Sequence, residues 1–225
     1  MKIISFSLWG SNPKYTVGAL KNAKLAKEIY PDWVCRFYCA NDVPNPIIFQ
    51  LEEMDNVELI FKGDVGDWTS MFWRFEPAGE EDVEVMISRD TDSRLNAREK
   101  EAVDQWLSSD SGFHIMRDHP WHGYPVLGGM WGAKKGTVPN IKDLMNNFNQ
   151  TDRYGTDYSF FAQISDSIRG NVMVHDEFFS GRQKLLDYQG CKPTPFPSPR
   201  VGKNFVGKPF NADDSVHLPN ADNVI

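Results

Sequence analysis

Asp90 and Asp92 stand one residue apart and follow directly on an apolar run, Val83-Glu84-Val85-Met86-Ile87-Ser88. In extended chain, residues two apart point to the same side and lie roughly 7 Å from one another. Two carboxylates so placed repel unless positive charge stands between them. A hard divalent cation with oxygen ligands, Mg2+ or Mn2+, answers that need. Sites in open α/β sheets form outside the carboxyl ends of strands, which is where this pair falls. Taken alone, the triplet reads equally as a solvated turn, or as a cap made with Ser93 for a helix starting near Ala97. The strand running into it favours the metal reading.

Two carboxylates rarely fill the coordination of such an ion, so a third protein ligand is expected. His175, just past an apolar Val172-Met173-Val174, is the first candidate, and His217 the second. His175 reads as well as a surface histidine at a strand end. A cation held here would bridge the phosphates of a diphosphate and stabilise the charge that builds as it departs. Arg89 and Arg94 flank the aspartates and are expected to keep them ionised. Arg74 is a partner for the aspartates or for a phosphate. Trp9, at the end of the first apolar stretch, reads as lining the same pocket or as capping the core, and Ser7 is expected beside it. Lys203 and Lys208, in a glycine-bearing stretch, read as a lid that closes over the phosphates or as solvated loop lysines, Lys203 more as the latter. Arg117-Asp118-His119-Pro120-Trp121-His122 mixes polar groups with rings, which suits a bound sugar and reads as well as a structured loop with internal salt bridges. Trp121 is its stacking surface, and His119 or Asp118 its candidate base. His114, His119 and His122 do not have a zinc spacing.

These residues need a scaffold, and the chain supplies an alternating one. Lys2 to Leu8 reads as a buried strand, Tyr15 to Ile29 as an amphipathic helix, and Trp33 to Ala40 as a second strand. Ile47 to Met54 reads as a short helix and Val57 to Phe61 as a third strand. That order implies right-handed crossovers and a mainly parallel sheet. Met71 to Glu76 reads as a helical turn feeding the Val83 strand. Helices are expected over Arg98 to Leu107, Ile141 to Phe148 and Asp157 to Ser167. Strands are expected over Phe113 to Met116, Val126 to Ala133 and Val172 to Val174. From Cys191 onward, proline, glycine and polar residues predict an irregular tail.

A chain of 225 residues fits one sizeable domain. The net charge of −7, with no basic patch, argues against a nucleic-acid or anionic-membrane binder. No apolar run reaches the roughly 18 residues of a membrane span, and the first residues do not make a signal peptide. Cys35 and Cys39 share a strand, roughly 13 Å apart, beyond disulfide reach. With Cys191 the count is odd, which favours a reducing, cytoplasmic setting.

The order of these pieces resembles that of GT-A glycosyltransferases. Asn12-Pro13-Lys14-Tyr15-Thr16-Val17-Gly18-Ala19 resembles the tyrosine-plus-glycine segment of the glycogenin and galactosyltransferase-like group. Phe72-Trp73-Arg74-Phe75 sits where that group has a basic-aromatic segment. Leu127-Gly128-Gly129-Met130-Trp131-Gly132 is similar to its acceptor-side strand. Tyr154-Gly155-Thr156-Asp157-Tyr158 resembles its aspartate-bearing helix start, with Tyr158 in place of the usual Gln. Asn204-Phe205-Val206-Gly207-Lys208-Pro209-Phe210 resembles its closing Gly-Xaa-Lys-Pro-Trp segment, with the aromatic changed and the upstream histidine missing. The wording Ser-Arg-Asp-Thr-Asp-Ser-Arg, with Gly-Gly-Met-Trp-Gly, also resembles uncharacterised bacterial and phage glycosyltransferase-like proteins.

The resemblance implies a Rossmann-like α/β domain over residues 1–210, with a mixed, mostly parallel sheet, and a C-terminal tail over 211–225. It implies a nucleotide-sugar donor, a UDP-sugar by preference, an Mn2+ or Mg2+ cofactor and a carbohydrate acceptor, in a bacterial or virus-infected cell. Tyr15 would stack on the base, Asp157 would face the sugar, and Gly129 and Trp131 would meet the acceptor. Two other readings stay open. One is another divalent-metal enzyme on phosphate esters, a nucleotidyltransferase or phosphohydrolase, although no Walker-type loop is present. The other is a non-catalytic binding protein of the same fold.

Overall fold

The computed structural model describes residues 1–178 and 193–218. Cys191 and the last seven residues of the expected tail lie outside them. Seven strands form one sheet: β1 (Lys2–Leu8), β2 (Val34–Cys39), β3 (Val57–Phe61), β4 (Val85–Arg89), β5 (Phe113–Arg117), β6 (Met130–Lys134) and β7 (Val172–Asp176). Their order across the sheet is β3-β2-β1-β4-β6-β5-β7. The first four are mutually parallel, β6 runs antiparallel to both β4 and β5, and β7 returns parallel to β5. This is the single α/β domain that the alternation predicts, with the mixed, mostly parallel sheet that the resemblance implies.

Side chains along a strand alternate between faces, and each face here is apolar because helices cover both. Ile3 points into one core with Phe72, Phe75, Trp131 and Phe160, whereas its neighbour Ile4 joins the other with Phe37, Ala19 and Trp106. Helices α1 (Pro13–Ile29), α2 (Asn45–Glu52) and α3 (Ala97–Leu107) contribute to the Ile4 side. A long 3₁₀ segment (Trp68–Gly79), α4 (Ile141–Asn147) and α5 (Thr156–Ile168) contribute to the Ile3 side. The 3₁₀ segment is longer than the turn expected over Met71 to Glu76. It begins at a reciprocal cap in which Asp67 and Ser70 satisfy each other's backbone.

Two elements differ from expectation where the site lies. The strand expected over Val126 to Ala133 begins only at Met130, because Gly128 and Gly129 form a turn. Helix α3 is capped by Asn96, whose side chain accepts from the Glu99 N–H at 3.0 Å, so Asp92 and Ser93 are not spent as a cap. The tail segment 193–218 lies over the carboxyl edge of the sheet. It is tied there by a Thr194 bridge to His175 and by the Phe210 N–H donating to the Asp92 carbonyl at 2.8 Å.

Candidate active site

At the carboxyl ends of the parallel strands a cavity of about 490 Å³ opens. β4 delivers Asp90 to its floor, and the chain turns at once, with the Ser93 N–H donating to the Asp90 carbonyl at 3.3 Å. The turn is held from behind by helix α1. Asn22 donates to the carbonyls of Thr91 (3.2 Å) and Ser93 (2.9 Å) and accepts from the Leu95 N–H (3.0 Å). Gly18 faces the Thr91 carbonyl so closely that any Cβ would collide with it. Nothing in the spacing of the aspartates points to Asn22, which lies some seventy residues earlier.

Each aspartate meets a base. Arg74 Nη1 pairs with Asp90 Oδ1, and Lys14 Nζ with Asp92 Oδ2 at 2.8 Å. Arg74 also reaches Asp157 Oδ2 at 3.4 Å, so it stands between two carboxylates. Its backbone N–H donates to the Ser7 hydroxyl at 3.1 Å, which fixes the 3₁₀ segment over β1. Gly128 and Gly129 make the crowding possible. A Cβ on Gly128 would strike the Asp157 carboxylate, and one on Gly129 the Asp90 carboxylate. The Gly128 carbonyl is held by the Ser88 hydroxyl at 2.6 Å.

Burial raises the pKa of Asp92, as does the neighbouring charge of Asp90, and the Lys14 ammonium only partly opposes them. Burial likewise raises Asp157, against the pull of Arg74. For Lys14 and Arg74 burial works downward, but their carboxylate partners outweigh it and both end raised. Asp157 Oδ1 and Arg74 Nε are buried with no hydrogen-bond partner among the described residues. The centre is therefore a compact set of three carboxylates and two cations with hydrogen-bonding capacity in reserve.

Of the residues singled out from the sequence, Ser7, Trp9, Tyr15, Arg74, Asp90, Asp92, His119, Trp121, Gly129 and Asp157 line this cavity, as does His217. Five others do not. Arg89 turns into the core, where its Nε donates to Glu99 at 2.9 Å, so it does not serve the aspartates. Arg94 reaches Asp214 instead, and the cations at the pair are Lys14 and Arg74. Asp118 is fully buried and bound by Arg98, Arg200 and the Val206 N–H, which excludes it as a base meeting an acceptor. Trp131 lies in the core against Phe75 and Phe113 because it is on the face of β6 that the 3₁₀ segment and α5 cover. His175 sits inside β7 rather than after it. Its Nδ1 faces His114 Nε2 at 2.8 Å and its Nε2 faces Gln105 Oε1 at 2.9 Å, so it is not a third metal ligand. Lys208 is buried beside Phe205 and Phe210, with Nζ donating to the Lys203 carbonyl at 3.1 Å, and does not line the cavity.

The sequence reading missed Lys14 as a partner of Asp92, although it stands beside Tyr15 in the segment already marked. It also missed Trp68 and Tyr154 in the cavity wall. Among the described residues, no group of three His, Cys, Asp or Glu side chains gathers closely enough to hold a metal ion. The carboxylate pair still suits a hard cation that takes its remaining ligands from substrate phosphates and water, the usual habit of Mg2+. His119 Nδ1 accepts from the Trp121 N–H at 3.0 Å, which leaves the proton of the neutral ring on Nε2 as a donor.

No protein-family model matches the sequence, and no curated protein matches it. Solved structures do match the fold. A glycosyltransferase involved in the glycosylation of the major capsid of PBCV-1 is 14% identical over 89% of this chain and 94% of its own, with a TM-score of 0.51. Galactosyltransferase LgtC in complex with donor and acceptor sugar analogs is 10% identical over 95% of this chain and 93% of its own, at 0.54. Mannosyltransferase PcManGT from Pyrobaculum calidifontis, in complex with GDP-Man and Mn2+, is 12% identical over 78% of this chain and 54% of its own, at 0.54. The strand order, the cavity at the carboxyl edge and these likenesses together show a fold of the GT-A glycosyltransferase type.

Proposed function

We propose that the protein is a metal-dependent glycosyltransferase that moves a sugar from a nucleotide-sugar donor, a UDP-sugar by preference, to a carbohydrate acceptor. The observation that carries this reading is the placement of Asp90 and Asp92 together on the floor of a cavity at the carboxyl end of β4, with Tyr15 in its wall. Asp90 and Asp92 would hold Mn2+ or Mg2+, which when bound neutralises charge on the departing diphosphate. Tyr15 offers its ring to the base. Arg74, poised between Asp90 and Asp157, gives the cavity a fixed positive charge that needs no reorganisation as the leaving group becomes anionic. Asp157 faces the sugar, and Gly129 leaves room for its approach. His119, with its donor nitrogen, and Trp121 stand on the acceptor side. The buried thiols Cys35 and Cys39 fit a reducing compartment, and the cytoplasm is the proposed place of action. Among the described residues, no helix is long and apolar enough to cross a membrane.

The test is incubation with UDP-glucose, UDP-galactose, UDP-N-acetylglucosamine and GDP-mannose in the presence of Mn2+, with free nucleoside diphosphate as the readout. At least one donor should release it, and Asp90→Ala should lower the rate by about 10²–10³-fold, as expected for loss of a principal charge stabiliser. Release of pyrophosphate or orthophosphate instead would move the protein to the phosphate-ester enzymes. Silence with every donor would remove the enzymatic reading.

A further inference from the structure

One part of the cavity wall is built from charge and another from rings. Trp68 lies edge-on to Tyr154 with centroids 5.4 Å apart, Tyr154 edge-on to Tyr158 at 6.5 Å, and Tyr158 stacks on Tyr124 at 4.0 Å. Trp9, deeper in the cavity wall, meets Trp68 edge-on at 6.1 Å and closes the inner end of the row. Tyr154 is 71% exposed and Tyr124 51%, so the outer rings face water and still lean on one another. Trp68, Tyr154 and Tyr158 line the cavity, whereas Tyr124 stands beyond it on the loop between β5 and β6. The row therefore starts inside the cavity and leaves it.

We propose that Trp68, Tyr154, Tyr158 and Tyr124 form a rail that binds a neutral oligosaccharide, seating several sugar units of an acceptor chain whose end enters the cavity. The proposal rests on the glycosyltransferase reading and adds to it the class of acceptor. Pyranose rings present flat C–H faces to aromatic surfaces, while their hydroxyls find the phenol oxygens and water at the rim, and tyrosine and tryptophan provide both. The rail is one ring wide. That shape suits a linear chain of flat units better than a protein partner, whose specific interface takes about 800 Å² from each side. Its rings carry no charge, and the charged residues beside it, Asp152, which accepts from the Trp68 N–H, and Arg153, are of opposite sign. A polyanion thus gains little here that a neutral glycan does not.

Cellohexaose, maltohexaose, chitohexaose and mannohexaose, with the corresponding monosaccharides, are titrated into the nucleotide-free protein, read by tryptophan emission and by calorimetry. At least one hexasaccharide should bind about tenfold or more tighter than its monosaccharide, the gain from one added stacked ring being of order 1 kcal/mol. Tyr124→Ala should weaken that hexasaccharide by about tenfold and leave UDP affinity unchanged, and Tyr124→Phe should keep both. The rail is overturned if no hexasaccharide binds, if hexasaccharide and monosaccharide bind alike, or if Tyr124→Ala changes nothing. Because no donor is present, binding without any transfer activity would sink the glycosyltransferase reading and spare the rail. Donor turnover without oligosaccharide binding would do the reverse.

Discussion

Asp157 shows why the chemistry and the stability of this site pull apart. Its carboxyl is buried in the first turn of α5, and burial holds its pKa above the usual range. A carboxylate raised in this way adds stability only while it is protonated. That contribution is lost as pH rises through the folded value, so at neutral pH the charge is a cost. Asp157→Asn should therefore raise Tm, by about 2–4 °C for each kcal/mol relieved in a chain of this size, while donor turnover falls. A lower Tm would mean that the pairing with Arg74 outweighs the cost of burial. The histidine pair works in the opposite direction. His175 is pushed down to about 4 by burial, with Arg98 contributing, and His114 is driven well below its usual value by burial, by His175 and by Arg89. Between about pH 6.5 and 4 the unfolded chain takes up protons that the folded one refuses, at about 1.4 kcal/mol per pH unit for each histidine. Urea denaturation at pH 7 and pH 5 should show that loss, and His175→Gln should flatten the slope; an unchanged slope would place the acid sensitivity elsewhere. The place of the aspartates was legible because the strand before them carries the signal, and that of Tyr15 only through the resemblance of its segment. His175 was not, because whether a strand ends before or after it decides between ligand and core.

Among the elements, the tail segment depends most on a single group. Asp118 accepts from Arg98 at 2.9 Å, Arg200 at 3.0 Å and the Val206 N–H at 2.9 Å, and has no exposed surface. It is the nail that holds residues 200–206, and Phe205, Gly207, Pro209 and His217 complete the cavity beyond it. Removing the carboxylate leaves Arg98 with Glu177 and Arg200 with the Asp118 backbone carbonyl, and leaves the buried Val206 N–H without its acceptor, so Asp118→Ala should cost about 3 kcal/mol. Hydrogen exchange should accelerate first between residues 200 and 210; a uniform increase across the sheet would contradict the role. The glycine turn before β6 makes the complementary case. A methyl group at Gly129 enters the space of the Asp90 carboxylate, so Gly129→Ala should leave the circular dichroism unchanged. It should still slow donor turnover by roughly 10²-fold, the scale expected for a misplaced reacting group. Helices and strands were legible from periodicity to within a few residues, whereas the Gly128-Gly129 turn read as strand because its neighbours are apolar. Only side chains arriving from β4 and α5 explain why it is not.

Across the whole molecule, alternating strands and helices in the first sixty residues made the parallel half of the sheet legible. The second half was less so, since nothing local says that β6 slips antiparallel between β4 and β5. That insertion sets the beginning of β6 beside the end of β4, with Met130 paired to Arg89, and so brings Gly129 to Asp90. The cavity is thus made by topology from residues far apart in sequence, which is why its walls (Trp68, Tyr154, Phe205) escaped a linear reading. Ligand binding to a folded-state cavity stabilises the whole domain. The correct sugar nucleotide with Mn2+ at a hundred times its Kd should add about 2.7 kcal/mol, read as a rise in Tm that is lost on adding chelator. A rise that persists without metal would show donor binding through Lys14, Arg74 and Tyr15 alone.

The stems of the β5–β6 connection are clamped by register: Phe113 opposes Ala133 and Ile115 opposes Trp131. Asp118 anchors one end, and the Ser88 bond to Gly128 anchors the other. Between them His119 and Val126 are buried and Arg117 holds the Pro125 carbonyl, so the exchangeable part is the exposed tip from Trp121 to Tyr124. Other sequences grafted onto that tip should change what the cavity rim offers a ligand while Asp90, Asp92 and Arg74 keep their places.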